Sequence, residues 1–171
     1  MTFAIRKAST ADIPTIARHR AAMFHDMGML PADREEALVH ATAAYLAHAL
    51  PGGEYLGWIA ERGGPEAEIV GGGGAQLRSI LPRPDGANDK LELGPEAIVL
   101  NVYVEPGWRR KGVAEALMRA LLTELSEMGV YRIVLHASPD GRRLYERLGF
   151  EPTNEMRLLH LRAEPGEGRD R

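Results

Sequence analysis

Apolar positions along this 171-residue chain repeat with two periods, and each change of period marks a new element. Residues 3–8 read as a strand. Ser9 or Thr10 offers an N-cap oxygen, and Asp12 complements the positive end of a helix dipole. Ile13, Ile16, Ala17 and Met23 follow at helical spacing. A second helix is predicted over 34–50, with Ala37, Leu38, Ala41, Tyr45 and Leu46 on one side. Residues 55–61 and 68–80 read as strands joined by a Gly-Gly-Pro turn, an antiparallel hairpin. Four consecutive glycines, 71–74, interrupt its second strand, which implies a flexible bend, a bulge or a close backbone approach. Residues 81–95 read as a loop that carries Asp85, Asp89 and Glu92, with Lys90 opposing them.

The second half is more regular. Residues 97–104, Ala-Ile-Val-Leu-Asn-Val-Tyr-Val, form an almost unbroken apolar run, as in a central strand buried on both faces. Glu105, Pro106 and Gly107 end it. A helix is predicted from about Gly112, with Ala114, Leu117, Met118, Leu121, Leu122, Leu125 and Met128 on one stripe and Gly129 as its stop. Residues 132–137 predict a second buried strand. Ser138-Pro139-Asp140 then reads as a helix start for Leu144, Tyr145 and Leu148, with Gly149 closing the helix. Residues 150–152 and 156–162 predict final strands, and 163–171 a polar, disordered tail. The order implies an α/β protein with a mixed sheet flanked by helices, organised around 97–148. It reads as one domain over 1–162, without internal repeats.

Composition narrows the chemistry. With no cysteine, disulfides, thiolate metal sites and cysteine nucleophiles are excluded. A net charge of −3 argues against a dedicated nucleic-acid binder. No apolar run approaches the length of a membrane helix, and the start lacks a signal peptide's apolar centre, so the expected location is the cytoplasm. The six histidines show no ligand spacing, so no metal is expected. The 19 glycines and 11 prolines cluster between the periodic segments, where they punctuate turns.

Arg109-Arg110-Lys111-Gly112-Val113-Ala114 lies where a buried strand turns into a helix. Free backbone N–H groups and a positive dipole end make such a place an anion site, and three cations strengthen its field. In isolation the same hexapeptide reads equally well as a solvated basic turn. A Walker A loop is excluded, because Val113 and Ala114 stand where lysine and Ser/Thr are needed. Gly72 and Gly74 lack the third glycine of a dinucleotide fingerprint, since Leu77 stands there. Gly-x-Ser-x-Gly and His-Glu-x-x-His are absent too.

The turn resembles motif A of the GCN5-related N-acetyltransferases (GNAT), Arg/Gln-x-x-Gly-x-Gly/Ala, through Arg109, Gly112 and Ala114. Leu144-Tyr145-Glu146-Arg147-Leu148-Gly149-Phe150 resembles the Leu-Tyr-Glu-Lys-Leu-Gly-Phe element of the same family. The likeness is specific over about 98–150 and weaker at Ile5 to Asp12. It implies the GNAT fold, with acetyl-CoA as co-substrate and no metal.

By this resemblance the amides of Arg110, Lys111, Gly112, Val113 and Ala114 would cradle the pyrophosphate, with charge added by Arg109, Arg110 and Lys111. Val102 and Val104 would pair their main chains with the pantetheine arm, and the Val102 N–H would stabilise the oxyanion. Tyr145 would be the general acid that protonates the departing thiolate. Ser138 and Gly141 stand where some members carry Asn and Ala, and Ser138 would donate to the cofactor or simply cap its helix. The base is less defined. Ile98 stands where histone-type members place a glutamate, leaving Glu96 through water, Asn101 as a holder of water or acceptor, and His136 as candidates. Glu54 is a further one, and deprotonation through ordered water is preferred.

The resulting expectation is direct acetyl transfer to an amine of a small molecule or peptide. An alternative from another class is a non-catalytic acyl-CoA-binding sensor on the same fold. Arg20, Met23, His25 and Asp26 fall in segments that would line the acceptor site without forming a recognisable pattern, while the acidic loop would favour a cationic amine or be merely solvated. Dimerisation is common in the family, and nothing in the sequence specifies it. Neither nucleic acid nor membrane is an expected partner.

Overall fold

The computed structural model describes residues 2–63, 67–84 and 91–156. Its strands are β1 (Phe3–Lys7), β2 (Tyr55–Arg62), β3 (Glu68–Ser79), β4 (Arg83–Pro84), β5 (Leu91–Glu92), β6 (Pro95–Val104) and β7 (Arg132–Leu135). The α-helices are α1 (Ile13–Asp26), α2 (Glu35–Ala49), α3 (Val113–Glu127) and α4 (Arg142–Arg147). Five strands form one sheet in the order β1-β2-β3-β6-β7, antiparallel except for the parallel β6–β7 pair, while β4 and β5 pair separately. None of the helices among the described residues is long and apolar enough to cross a membrane.

Alternation within the strands gives the sheet two apolar faces, and helices cover both. On one face α3 lays Val113, Leu117, Met118, Leu121 and Leu125 against Trp58, Ala60, Val70, Ala75, Ala97 and Val99. On the other, Ile16 of α1 and Leu46 and Ala49 of α2 meet Tyr55 and Ile59. The signal before α1 opens a 3₁₀ turn over Thr10–Asp12 rather than α1 itself, whose N-cap is Asp12 without a side-chain cap bond. Ser9 N–H donates to Asp12 Oδ2 at 2.7 Å, and Asp12 also receives both arms of the Arg6 guanidinium at 2.7 and 2.8 Å.

Several expectations need correction. The buried side of α2 is Thr42, Leu46 and Ala49, with Leu38 half-buried, whereas Ala37, Ala41 and Tyr45 face solvent. An almost uniformly apolar helix carries little periodic signal, so packing alone chose the face. Segment 150–152 is not a strand, and α4 begins four residues after Ser138. The turn 138–141 intervenes, closed by Gly141 N–H on Ser138 Oγ at 3.2 Å. Part of the expected loop pairs as β4–β5, tied by Arg83 and Glu92. Met128 ends the α3 stripe half-exposed. Apart from Met156, the strand expected over 156–162, the tail 163–171 and the loop residues Asp85, Asp89 and Lys90 lie outside the described residues.

The centre of the sheet is fastened at one end. Glu96 is 2% exposed and stands in register with Arg78 on β3 and Arg132 on β7. Arg78 Nε donates to Glu96 Oε1 at 2.6 Å, and Arg132 donates to Oε2. One carboxylate therefore joins three strands. The two guanidiniums hold its pKa below the ordinary carboxylate value despite burial. Glu96→Gln is expected to lower unfolding free energy by about 2 kcal/mol, the scale of a hydrogen bond to a charged group, in urea titrations.

A second prediction concerns pH. Arg6 holds the Asp12 carboxyl at about 2, against an ordinary value of 3.8. Its contribution is complete above the unfolded pKa and is lost as pH falls through the folded one. The stability difference between the wild type and Asp12→Asn should thus shrink between about pH 4 and pH 2, as measured by denaturation at stepped pH.

Candidate functional site

Pairing between β6 and β7 runs from Glu96↔Arg132 to Val99↔Leu135 and stops there, although β6 continues to Val104. The cause lies one strand away as well as within β6. Register between β3 and β6 breaks between Gly72 and Gly74, and Asn101 takes a left-handed backbone with φ +58°. This bulge turns the second half of β6 away from its parallel neighbour. Beyond it, Glu105 N–H donates to Val70 O at 3.0 Å. Strand alternation then aims the amides of Val104 and Val102 at the vacated edge. The Val104 carbonyl on that edge accepts from Arg109 Nε at 3.0 Å.

Three of the four glycines, Gly71, Gly72 and Gly74, serve the bulge by close approach rather than flexibility. A Cβ on Gly71 would lie 2.8 Å from the Tyr103 carbonyl oxygen, and one on Gly74 only 2.0 Å from Tyr55 Oη. Only hydrogen fits there.

The open edge leads into the basic turn. A 3₁₀ turn over Pro106–Trp108 buries Trp108, after which Arg110 and Gly112 both adopt left-handed backbone, with φ +60° and +83°. Alternation of right- and left-handed residues turns successive N–H groups to one side, a concavity suited to an anion. Among the described residues, nothing accepts a hydrogen bond from the N–H groups of residues 110–115. The side chains are less free than their charge implies. Arg109 is tied to Val104 O and to Asp26 at the end of α1, and Lys111 Nζ donates to Gly107 O at 2.6 Å. Arg110 has no acidic partner among the described residues.

Tyr145 on α4 packs edge-on to Phe150 at 6.0 Å between ring centroids, and burial pushes its phenol up from 10. Gly141 makes room for that ring, since a Cβ there would lie 2.9 Å from Tyr145 Cε2. Ser138 Oγ is engaged as acceptor by the Gly141 amide.

Of the candidate bases, Glu96, His136 and Asn101 do not combine freedom with position, and Glu54 is an exposed residue directly before β2. Glu96 is held by two arginines at the far end of β6, five residues from the bulge. His136 is 65% exposed, and its Nε2 lies 3.5 Å from Glu155 Oε1. Asn101 is 6% exposed and fully engaged: Oδ1 accepts from Arg20 Nη1 at 2.6 Å, and Nδ2 donates to Tyr55 Oη at 3.2 Å. A guanidinium only donates, which fixes this orientation of the amide. Burial pushes the Tyr55 phenol up to about 12, so it keeps its proton.

Sequence reading passed over Tyr55, His19 and Glu105 and found no pattern around Arg20. His19 is 1% exposed, sits 3.2 Å from Glu105 Oε1, and lies tilted against Tyr103. A lone Asn in an apolar run signals that buried polar partners must exist, but not which helix supplies them.

The arrangement fits an extended ligand ending in phosphates: an unpaired strand edge for amide-bearing chain, then a run of free N–H groups at the start of α3 for the anion. Comparison with known proteins agrees. The family model for the acetyltransferase (GNAT) family matches residues 15–150. A GCN5-related N-acetyltransferase from Ralstonia eutropha is 32% identical, with a TM-score of 0.79 over 93% of this chain and 99% of that one. A predicted acetyltransferase from Clostridium acetobutylicum, solved with acetyl-CoA, is 27% identical, with a TM-score of 0.76 over 94% and 97% of the two chains. Glucosamine-6-phosphate N-acetyltransferase from Arabidopsis thaliana shares the fold at 16% identity and a TM-score of 0.63, covering 94% of this chain and 99% of that one. No curated protein matches the sequence. Family model and fold converge, and this chain belongs to the GNAT acetyltransferases.

Proposed function

We propose that this protein moves an acetyl group from acetyl-CoA directly to an amine of a small molecule or peptide. The observation that carries the reading is adjacency: the β6 edge at Val102 and Val104, left unpaired by β7, runs toward the N–H groups of residues 110–115, which have no acceptor among the described residues. Acetyl-CoA supplies the activated thioester, and the chain's own residues bind, orient and move protons around it. The amides of residues 110–114 hold the pyrophosphate, with Arg110 and Lys111 as nearby positive charge. Arg109 instead shapes the loop through Val104 O and Asp26. Val104 and Val102 hold the pantetheine arm along the free edge, and the Val102 N–H is the donor for the thioester oxygen.

Tyr145 is the proton donor to the leaving thiolate. A phenol whose pKa burial raises stays protonated at neutral pH, and a thiolate is basic enough to take its proton. Gly141 positions it by leaving space beside the ring, and Ser138 holds the turn that carries Gly141. The amine loses its proton through ordered water, since Glu96 and His136 are occupied elsewhere and Asn101 cannot act as a base.

Two tests follow from these roles. Acetyl-CoA at about 100 times its Kd should stabilise the protein by about 2.7 kcal/mol in a thermal shift assay, and an unchanged Tm would refute the reading. Gly112→Glu should abolish that stabilisation, because it forces a side chain onto left-handed backbone and brings a negative charge to the phosphates. Tyr145→Phe should lower kcat about 100-fold while acetyl-CoA affinity stays within a factor of two. Unchanged turnover would remove Tyr145 from the acid role.

A further inference from the structure

Among the described residues most cations face an acid, and the exceptions are informative. Arg6, Lys7, Arg18, Arg34, Arg62, Arg78, Arg83, Arg109, Arg119, Arg132 and Arg142 each face a carboxylate. Arg110, Lys111, Arg143 and Arg147 lack one among the described residues, and all four are exposed, where water solvates the charge. Arg20 alone among the described cations is both partly buried and without an acid. Among the described residues its single polar contact is the neutral Asn101 oxygen at 2.6 Å, and its guanidinium lies over the Phe24 ring at 4.9 Å.

A guanidinium has five donors in a planar fork. One arm is spent on Asn101, which leaves Nε and Nη2 without an acceptor among the described residues. Desolvation is unfavourable for this charge, and it lowers the Arg20 pKa. A desolvated charge of this kind needs a counter-charge, and the chain provides none among its described residues. The neighbours explain why Arg20 stays in place: Asn101 sits at the bulge, next to the amide of Val102, with Tyr55 Oη bracing its other end at 3.2 Å. Arg20 therefore borders the point where the acceptor must approach the thioester.

We propose that Arg20 is a specificity residue whose free guanidinium arms bind an oxyanion, carboxylate or phosphate, carried by the amine acceptor. The proposal rests on the acetyltransferase reading and narrows it to amines that bear an anionic group. It also reverses the expectation of a cationic acceptor drawn from the acidic loop. Both oxyanions match the fork, because each presents two oxygens to two parallel N–H donors.

The test uses the full chain saturated with CoA, so that the pyrophosphate loop is filled before any probe is added. Two pairs of amines differ in the anion alone: β-alanine against β-alaninamide, and 2-aminoethyl phosphate against ethanolamine. Binding is read by calorimetry and thermal shift in the wild type, Arg20→Met and Arg20→Lys. One anion-bearing probe should bind at least tenfold more tightly than its partner without the anion, and the responding pair identifies carboxylate or phosphate. Arg20→Met should erase that preference while CoA affinity stays within a factor of two, and Arg20→Lys should restore part of it. Equal response to the members with and without the anion, including no response to either, overturns the proposal. So does a preference that survives in Arg20→Met. A wild type that fails to bind CoA at the outset would instead count against the acetyltransferase reading itself.

Discussion

Everything at the candidate site depends on β6 being held to its neighbours at one end and released at the other. The held end is the Arg78–Glu96–Arg132 arrangement, in which a buried carboxylate sits between cross-strand partners on both sides. The released end begins after Val99, where β7 no longer pairs. Backbone amides in a sheet are normally consumed by the next strand, and here that partner is missing over half of β6. Without the clamp, the opening would have no fixed starting point. Without the bulge, the strands would continue to pair and no edge would be offered.

The bulge is a distributed feature, and that explains its stability. Asn101 adopts a left-handed backbone that costs energy for a side-chain-bearing residue. Its side chain recovers part of this through Arg20 and Tyr55, while the glycines of β3 let Tyr55 and the β6 backbone come close. α1, β2, β3 and β6 thus all contribute to one irregularity. Each residue taken alone would look unremarkable or unfavourable.

This distribution decides what could be read from the sequence. The β6–turn–α3 unit was legible because its signals are local: an apolar run, a Pro-Gly stop, a basic turn and a strong helical stripe. The paired motifs around Gly112 and Tyr145 were legible for the same reason. By contrast, the partners of Asn101 lie 81 and 46 residues away in sequence, beyond the reach of any local pattern. Charge was also misleading when counted rather than located. Arg109 looks like a free cation in the hexapeptide, yet Asp26, distant in sequence, claims it, while Arg20 looked ordinary and is the one partly buried cation without an acid among the described residues. The face of α2 was misread because Ala37, Ala41 and Tyr45 are as apolar as the residues that are buried. Periodicity cannot choose between two apolar sides.

The tie between Arg109 and Asp26 has a thermodynamic consequence. Asp26 is the last residue of α1, the helix that also carries Arg20, and Arg109 begins the basic turn. This pair and the neighbouring Arg18–Glu105 pair join α1 to the end of β6 and the turn. If an acceptor shifts α1, the turn moves with it, and the free energy of that movement enters the affinity for the other ligand. Reciprocity then requires the cofactor to alter acceptor affinity by the same factor. Coupling of that kind would run through surface contacts rather than through either binding site alone.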